Sequence, residues 1–458
     1  MADKLHFVSL GCPKNLVDSE VMMGALLDRH YSPVDEPEEA DVIVVNTCSF
    51  IGPATKESVE TILEMAEWKK KGKCSTLVVT GCLAQRYAAE LEEEIPEVDY
   101  FFGTGEYHRL ADVLEKRPAT RTYVGLPTWI HDESSPKVLS RSRRSAWLKI
   151  AEGCRHRCSF CIIPTLRGDL RSRSIESIVA EARRYAEQGV VELNLISQDN
   201  NSYGYDRVGG RGRRTELGRL LRALGRVDVI RWIRLMYMYP LGFPRELMDV
   251  IAEEPKVVNY IDMPLQHISH SILRAMHRGV GGEKCRNLVR TLRERIPNLT
   301  LRTTFIVGFP GETDEDFQAL VDFVEEIRFE RMGVFTFSPE PGTPAAQLDD
   351  NIPARVKEER RRILMKVQKK IARAHSRSLV GQVHDVLIEG VSEESDLLLQ
   401  GRLASQAPEV DGHVLITSGY AHIGEIVPTR IERAMDYDVI GQVVETEERP
   451  LEPRILSV

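Results

Sequence analysis

No stretch of the chain strings together the roughly 18 apolar residues that a membrane-spanning helix needs. The opening residues, MADKLHFVSLGC, hold neither a long apolar region nor a small-residue cleavage site. The sequence therefore predicts no membrane span and no secretory leader. Cysteine is scarce. Eight in 458 residues are too few for a disulfide scaffold, and their uneven clustering points to cofactor chemistry in a reducing compartment. The expected location is the cytoplasm. No phosphate-binding P-loop, dinucleotide GxGxxG fingerprint or Ser–His–Asp arrangement is legible, and the 12 histidines are scattered.

Charge is the next imbalance. From Gly381 to the end there are 5 basic and 15 acidic residues, a net of −10, although the whole chain is only mildly acidic. Just before it, 352–380 carries 10 basic and 2 acidic residues. A basic helix running into an acidic module is an asymmetry that bears on the choice of partner.

What is present is a strand–helix alternation. LHFVSL (5–10), DVIVVN (41–46) and STLVVT (75–80) read as buried strands, and NLVDSEVMMGALLDRH and PATKESVETILEMAEWKKKG as amphipathic helices. The alternation predicts a parallel α/β sheet over 1–130. HDESSPKVLSRSRRS (131–145) is polar and aperiodic, and reads as a linker. Six further strands, at 146–152, 190–197, 230–237, 257–262, 300–306 and 332–337, predict a partial (β/α)6 barrel over 146–351, with function at the C-terminal strand ends. A basic connecting helix occupies 352–380. Five short alternating runs between Gly, Ser and Asp turns predict a small five-stranded β-barrel of the oligonucleotide-binding type over 381–458.

Six of the eight cysteines fall into two sets. Cys12, Cys48 and Cys82 each follow a predicted parallel strand, so they emerge on one sheet edge despite lying 36 and 34 positions apart. A lone cysteine so placed reads as a small buried hydrophobe; three in equivalent positions read as ligands. Cys74 and Cys285 lack this placement. The second set is local: EGCRHRCSFC gathers Cys154, Cys158 and Cys161 in eight positions after the first barrel strand. A zinc ion closed by His156 is one reading, although closure from inside the loop would be cramped. The other is a 4Fe–4S cluster, which normally takes four cysteines and here would keep one iron open for chemistry.

The CxxxCxxC spacing after the first strand of a six-fold barrel resembles the radical S-adenosylmethionine enzymes. That resemblance implies that the cofactor's amino and carboxylate groups chelate the open iron, and that reductive cleavage yields a 5′-deoxyadenosyl radical. A three-cysteine α/β domain, a radical barrel and a C-terminal TRAM module together resemble the methylthiotransferases. By that likeness Cys12, Cys48 and Cys82 hold a second 4Fe–4S cluster that delivers sulfur to an unactivated carbon.

SLGCPKNLVDSE, MPLQHIS and RTTFIVGFPGET resemble the branch that modifies ribosomal protein S-twelve (the RimO group), whereas the transfer-RNA branch (MiaB-like) reads GCQMN at the first cysteine. The implied target is the β-carbon of an aspartate; the alternative is an adenosine in transfer RNA. The acidic C-terminal module agrees with a basic protein substrate, met free or on ribosomal particles. A reduced electron donor such as flavodoxin and a sulfur source are also implied. For S-adenosylmethionine the candidates are Phe160 beside the adenine, Ser197 and Gln198 after the second strand, and Arg302. Alternation places Arg302 with Thr304 and Ile306 on one strand face, where it points either to the cofactor's carboxylate or into a structural ion pair.

Overall fold

The computed structural model describes residues 3–140, 144–207, 215–393 and 395–444; the end of the expected C-terminal module, 445–458, and linker positions 141–143 lie outside them. Among the described residues no helix is long and apolar enough to cross a membrane.

The N-terminal module is a six-stranded, all-parallel sheet of β1 (Lys4–Ser9), β2 (Ser32–Pro33), β3 (Val42–Thr47), β4 (Thr76–Gly81), β5 (Tyr100–Phe102) and β6 (Thr122–Tyr123), in the order β2-β1-β3-β4-β5-β6. Every residue of β3 and β4 is buried, as expected for central parallel strands covered on both faces. Four helices cross over: α1 (Pro13–Leu27), α2 (Gly52–Lys71), α3 (Cys82–Glu94) and α4 (Leu110–Lys116). The sequence pattern suggests an amphipathic α1. The fold instead buries 11 of its 15 residues, including Lys14, Asn15, Asp18, Ser19 and Glu20, because α1 lies between its own sheet and the central barrel.

The stretch after this module is more than a connection. His131 packs beside Arg173 and Glu181, and Lys137 lies between Glu20 and Glu181, 3.4 Å from each. The segment is thus strapped across the two modules.

The central module is an open, parallel six-stranded sheet. Its strands are β7 (Ser145–Lys149), then β10 (Glu192–Ile196), β11 (Trp232–Leu235), β12 (Val257–Asp262), β13 (Thr300–Val307) and β14 (Arg331–Thr336), in the order β14-β13-β12-β11-β10-β7. The single strand expected over 146–152 divides: β8 (Ala151–Glu152) leaves the sheet to pair antiparallel with β9 (Arg171–Ser172), closing the loop that carries the cysteines. Helices α5 (Ile163–Arg167), α6 (Ile175–Glu187), α7 (Leu217–Gly225), α8 (Arg245–Glu253), α9 (His270–Ala275), α10 (Gly282–Arg295) and α11 (Asp314–Ile327) follow the chain around it. Cys285 belongs to the apolar layer between these helices and the sheet. Cys74 is likewise buried in the N-terminal module.

Helix α12 (Ala354–Ser378) runs to a closed barrel of β15 (Val383–Ser392), β16 (Ser395–Leu403), β17 (Val414–Ser418), β18 (Ile426–Ala434) and β19 (Val439–Val443). Several cations of α12 are matched within the chain: Arg360 by Glu312 and Asp314, Lys357 by Asp350, and Lys369 and Arg373 by Asp436. The small barrel covers the strand-start side of the central sheet. Leu387 and Ala407 pack with Trp147 and Trp232, and fully buried Glu192 lies between Arg234 at 2.9 Å and Arg402 at 2.5 Å. Burial opposes the charge on Glu192, but the two guanidinium groups prevail and hold its carboxyl down at about 2.

Candidate active site between two cysteine triplets

Cys12, Cys48 and Cys82 leave β1, β3 and β4 at the same sheet edge. Cys12 caps the start of α1, Cys48 follows β3, and Cys82 opens α3. Their close approach depends on glycine. Gly11 has φ +90 and lies so near Cys48 that a Cβ there would sit 2.7 Å from the Cys48 Cβ. Gly81, at φ +95, leaves no room for a side chain against Asn46 and the Thr47 backbone.

Two asparagines fix the loops. Asn15 Nδ2 donates to Leu10 O (3.0 Å) and Thr47 O (2.8 Å), and Asn46 Nδ2 donates to Asn15 O and Ser19 Oγ, both at 2.9 Å. Burial pushes the Cys48 thiol up to about 12, with the nearby Cys82 and Cys12 sulfurs adding to the rise. Cys82 is raised by burial and by Cys12, against the pull of Arg167. Asn15 links the set: its Nδ2 holds the ends of the strands before Cys12 and Cys48, and its Oδ1 lies 3.8 Å from Cys82 Sγ.

The second triplet lies in the loop between β8 and α5. Ser159 anchors it, N to Met276 O at 3.0 Å and Oγ to Ala275 O at 2.7 Å, and Cys154 N donates to Gly168 O at 3.1 Å. Burial pushes Cys154 and Cys161 up to about 12, and Cys158 adds to both shifts.

His156, the suggested fourth zinc ligand, turns elsewhere: Nε2 is 2.8 Å from Asp199 and the ring stacks on Tyr239 at 3.6 Å. Among the described residues, no three His, Cys, Asp or Glu side chains close to the spacing of ligands around a single ion. Three thiols with His156 turned away suit a cubane, which three cysteines can hold while one iron stays open. Each triplet also offers one sulfur to a buried arginine: Arg167 Nη2 donates to Cys82 Sγ at 3.6 Å, and Arg278 Nη1 to Cys158 Sγ at 3.5 Å. Such donors favour the thiolate that a metal cluster requires.

The triplets adjoin. Cys82 packs against Ile162 and Leu166, immediately beyond Cys161. Beneath them Asp18 of α1 accepts from Lys149, from Arg167 at 2.5 Å and from the Tyr107 hydroxyl at 2.9 Å. Glu152 accepts from Lys149 at 2.6 Å, from Arg167 at 3.2 Å and from Gln198. Burial works against the Glu152 charge, but Lys149 and Arg167 outweigh it and keep the carboxyl well below the usual range. Lys14 reaches across to the Tyr237 ring, 3.0 Å from its centroid, and burial draws its ammonium down to about 8.

The four residues suggested for S-adenosylmethionine fare differently. Gln198 is half-buried and donates to Glu152, with Oε1 lacking a partner among the described residues. Phe160 packs beside Ile306, Phe309 and Phe337 at the ends of β13 and β14. Ser197 is fully buried and donates to Asn200 Oδ1 at 2.6 Å, which directs it into the turn. Arg302 faces inward, where Asp262 holds it at 2.8 Å and Asp411 lies at 3.8 Å, so it forms the structural ion pair of the two alternatives. Lys14, Asn15, Asp18, Arg167, Tyr239 and Arg278 were not singled out from sequence. The only signal for the first three is that CPKNLVDSE places polar residues where an apolar face should continue. A cleft of about 420 Å³ at the junction of the three modules, lined by Glu20, Glu389, Glu393 and Glu409 among others, is separate from the cysteines.

Family models match three successive parts of the chain: an uncharacterized protein family, UPF0004, at 4–103; the radical SAM superfamily at 148–324; and a TRAM domain at 380–444. The ribosomal protein uS12 methylthiotransferase RimO of Myxococcus xanthus is 52% identical over 441 residues, covering 96% of this chain and 92% of that one. The chain belongs to the RimO family. RimO proteins of Anaeromyxobacter sp. (strain K), 52% identical over 97% of this chain and 94% of that one, and Geobacter sulfurreducens, 49% identical over 96% and 99%, agree. Membership makes the chain a radical S-adenosylmethionine methylthiotransferase, with iron–sulfur and S-adenosylmethionine as its cofactors. Among solved structures, the radical S-adenosylmethionine methyltransferase TsrM from Kitasatospora setae aligns at TM-score 0.55 and 18% identity, covering 75% of this chain and 74% of that one. The cobalamin-dependent radical enzyme OxsB aligns at TM-score 0.52 and 12% identity, covering 81% and 56%. At these identities the likeness to the RimO fold is one of architecture alone.

Proposed function

We propose that this RimO-family enzyme adds a methylthio group to the β-carbon of an aspartate in ribosomal protein uS12. One observation carries the reading: two separate sets of three cysteines, each buried or partly buried, meet where the N-terminal and central modules touch. Cys154, Cys158 and Cys161 would hold one 4Fe–4S cluster, and Cys12, Cys48 and Cys82 a second. When bound, the clusters and S-adenosylmethionine supply hydrogen-atom abstraction and the sulfur to be inserted, chemistry that an unactivated carbon requires because it offers no acidic proton.

The protein's own residues orient and insulate. Arg278 and Arg167 each direct an N–H at one cysteine sulfur. The Asp18–Lys149–Arg167–Glu152 lattice fixes the two triplets relative to each other, without a mobile link between them. Gln198 and Phe160 flank the local triplet as contacts for S-adenosylmethionine; Ser197 shapes the turn that presents Gln198, and Arg302 braces Asp262 below. The acidic C-terminal module and the Glu-lined cleft attract a basic ribosomal protein and repel nucleic-acid phosphate. A cytoplasmic site of action, encounter with uS12 free or on ribosomal particles, a reduced donor such as flavodoxin and a separate sulfur source complete the reading.

Mass spectrometry tests it. Deleting the gene should remove the methylthio mass from uS12 and leave transfer RNA unaltered. Loss from a transfer-RNA adenosine with uS12 unchanged would transfer the activity to the RNA branch.

A further inference from the structure

Lys14 is two residues beyond Cys12, on the first turn of α1, and only 9% of it is exposed. Among the described residues its ammonium makes no hydrogen bond and has no carboxylate at ion-pair distance; its contact is the face of Tyr237. Tyr237 itself adopts φ +54, an uncommon backbone for a tyrosine, with its N–H held by Asp262 at 3.1 Å.

The surrounding carboxylates are already matched, and the Cys12 thiol, two residues back, is the other acidic group that acts on Lys14. Asp262 gives Oδ1 to Arg302 and Oδ2 to the Tyr237 N–H. Glu152 is occupied by Lys149, Arg167 and Gln198, and Asp18 by Lys149, Arg167 and Tyr107. A buried ammonium with no carboxylate of its own is costly to maintain. Lys14 therefore stands as a spare cation between the Cys12 loop and the C-terminal rim of the barrel.

We propose that Lys14 receives the side-chain carboxylate of the aspartate to be modified and sets the preference for aspartate over asparagine. This rests on the methylthiotransferase reading above. The carboxylate carbon of aspartate is bonded directly to the β-carbon. Anchoring one on Lys14 holds the other a single bond away, beside the triplet assigned to sulfur delivery. An amide in the same position would leave the ammonium without its anion.

The test uses full-length enzyme and uS12 carrying either aspartate or asparagine at the modified position. Equilibrium binding to the wild type should favour the aspartate protein by about tenfold. Lys14→Met should reduce that ratio to about one, and Lys14→Arg should restore most of it, because a cation is again available. Equal binding of both proteins by the wild type, or an unchanged ratio in Lys14→Met, overturns the assignment. So does a Lys14→Met protein that loses iron from the N-terminal triplet yet keeps the preference, since Lys14 would then serve as a counter-charge to a cluster. The methylthio mass is read in parallel. Its absence from the wild-type product, with the aspartate preference intact, would remove the proposed reaction while the binding ratio still upheld the carboxylate site.

Discussion

The two cysteine triplets reach similar environments by opposite routes. Cys154, Cys158 and Cys161 are neighbours in sequence, and one pinned loop suffices to gather them. Cys12, Cys48 and Cys82 come from three strands and meet only after β1, β3 and β4 have paired in register. The first kind of site is written into the chain; the second is a product of topology. Both end with a buried sulfur that accepts from a buried arginine, Cys82 from Arg167 and Cys158 from Arg278, so the chemistry demands the same setting whichever route supplies it.

The largest expected effect comes from removing either triplet. Replacing Cys12, Cys48 and Cys82 together with alanine should lower iron from about eight to about four atoms per chain and abolish the methylthio product. The equivalent change at Cys154, Cys158 and Cys161 should do the same. Iron that is indifferent to the first triplet would end the parallel between them.

Next comes the lattice that joins them. Arg167→Met leaves Asp18 and Glu152 sharing one lysine in a buried place, and should cost about 3–5 kcal/mol by denaturant unfolding. A loss near zero would mean that the modules do not depend on this contact.

The Glu192 cluster offers a control remote from both triplets. Its carboxyl is depressed in the fold to about 2, so its contribution is intact above the ordinary glutamate range and is lost as pH falls from there through about 2. Over that window unfolding free energy should fall by about 3 kcal/mol more in the wild type than in Glu192→Gln. Identical acid limbs would refute the assignment.

Gly81→Ala should cost about 1–3 kcal/mol, and deplete iron from the topological triplet before the local one, as seen in Cys154/Cys158/Cys161→Ala and Cys12/Cys48/Cys82→Ala backgrounds. Equal depletion of both would show that assembly by strand register is no more fragile than assembly by a loop. The smallest effect belongs to His156→Asn. It should cost about 1 kcal/mol through the lost Asp199 bond and Tyr239 stack, with iron at the local triplet retained. Loss of that metal would return His156 to the ligand set.

Much of this arrangement was legible beforehand, and the exceptions have physical causes. Central strands β3 and β4 announce themselves as unbroken apolar runs. β5 and β6, with three and two residues, are too short for any periodicity to register. The positions of the cysteines followed from strand ends, whereas Asn15, Asp18 and Lys14 were hidden by convention: polar residues on a helix ordinarily mark its wet side. Here a second module covers that side, and nothing local in the sequence says so. Arg167 was obscured for the same reason, because it acquires its meaning from Asp18, 149 residues away.

The three matched segments suggest interchangeable parts, but Asp18 argues against free exchange. It sits on the first part, and its two cations, Lys149 and Arg167, sit on the second. A chimera that borrows the N-terminal module from a distant relative must bring a matching acid at this position or leave two buried cations to share Glu152 at the seam. Recombination in such enzymes is therefore constrained less by the linker than by this one electrostatic key.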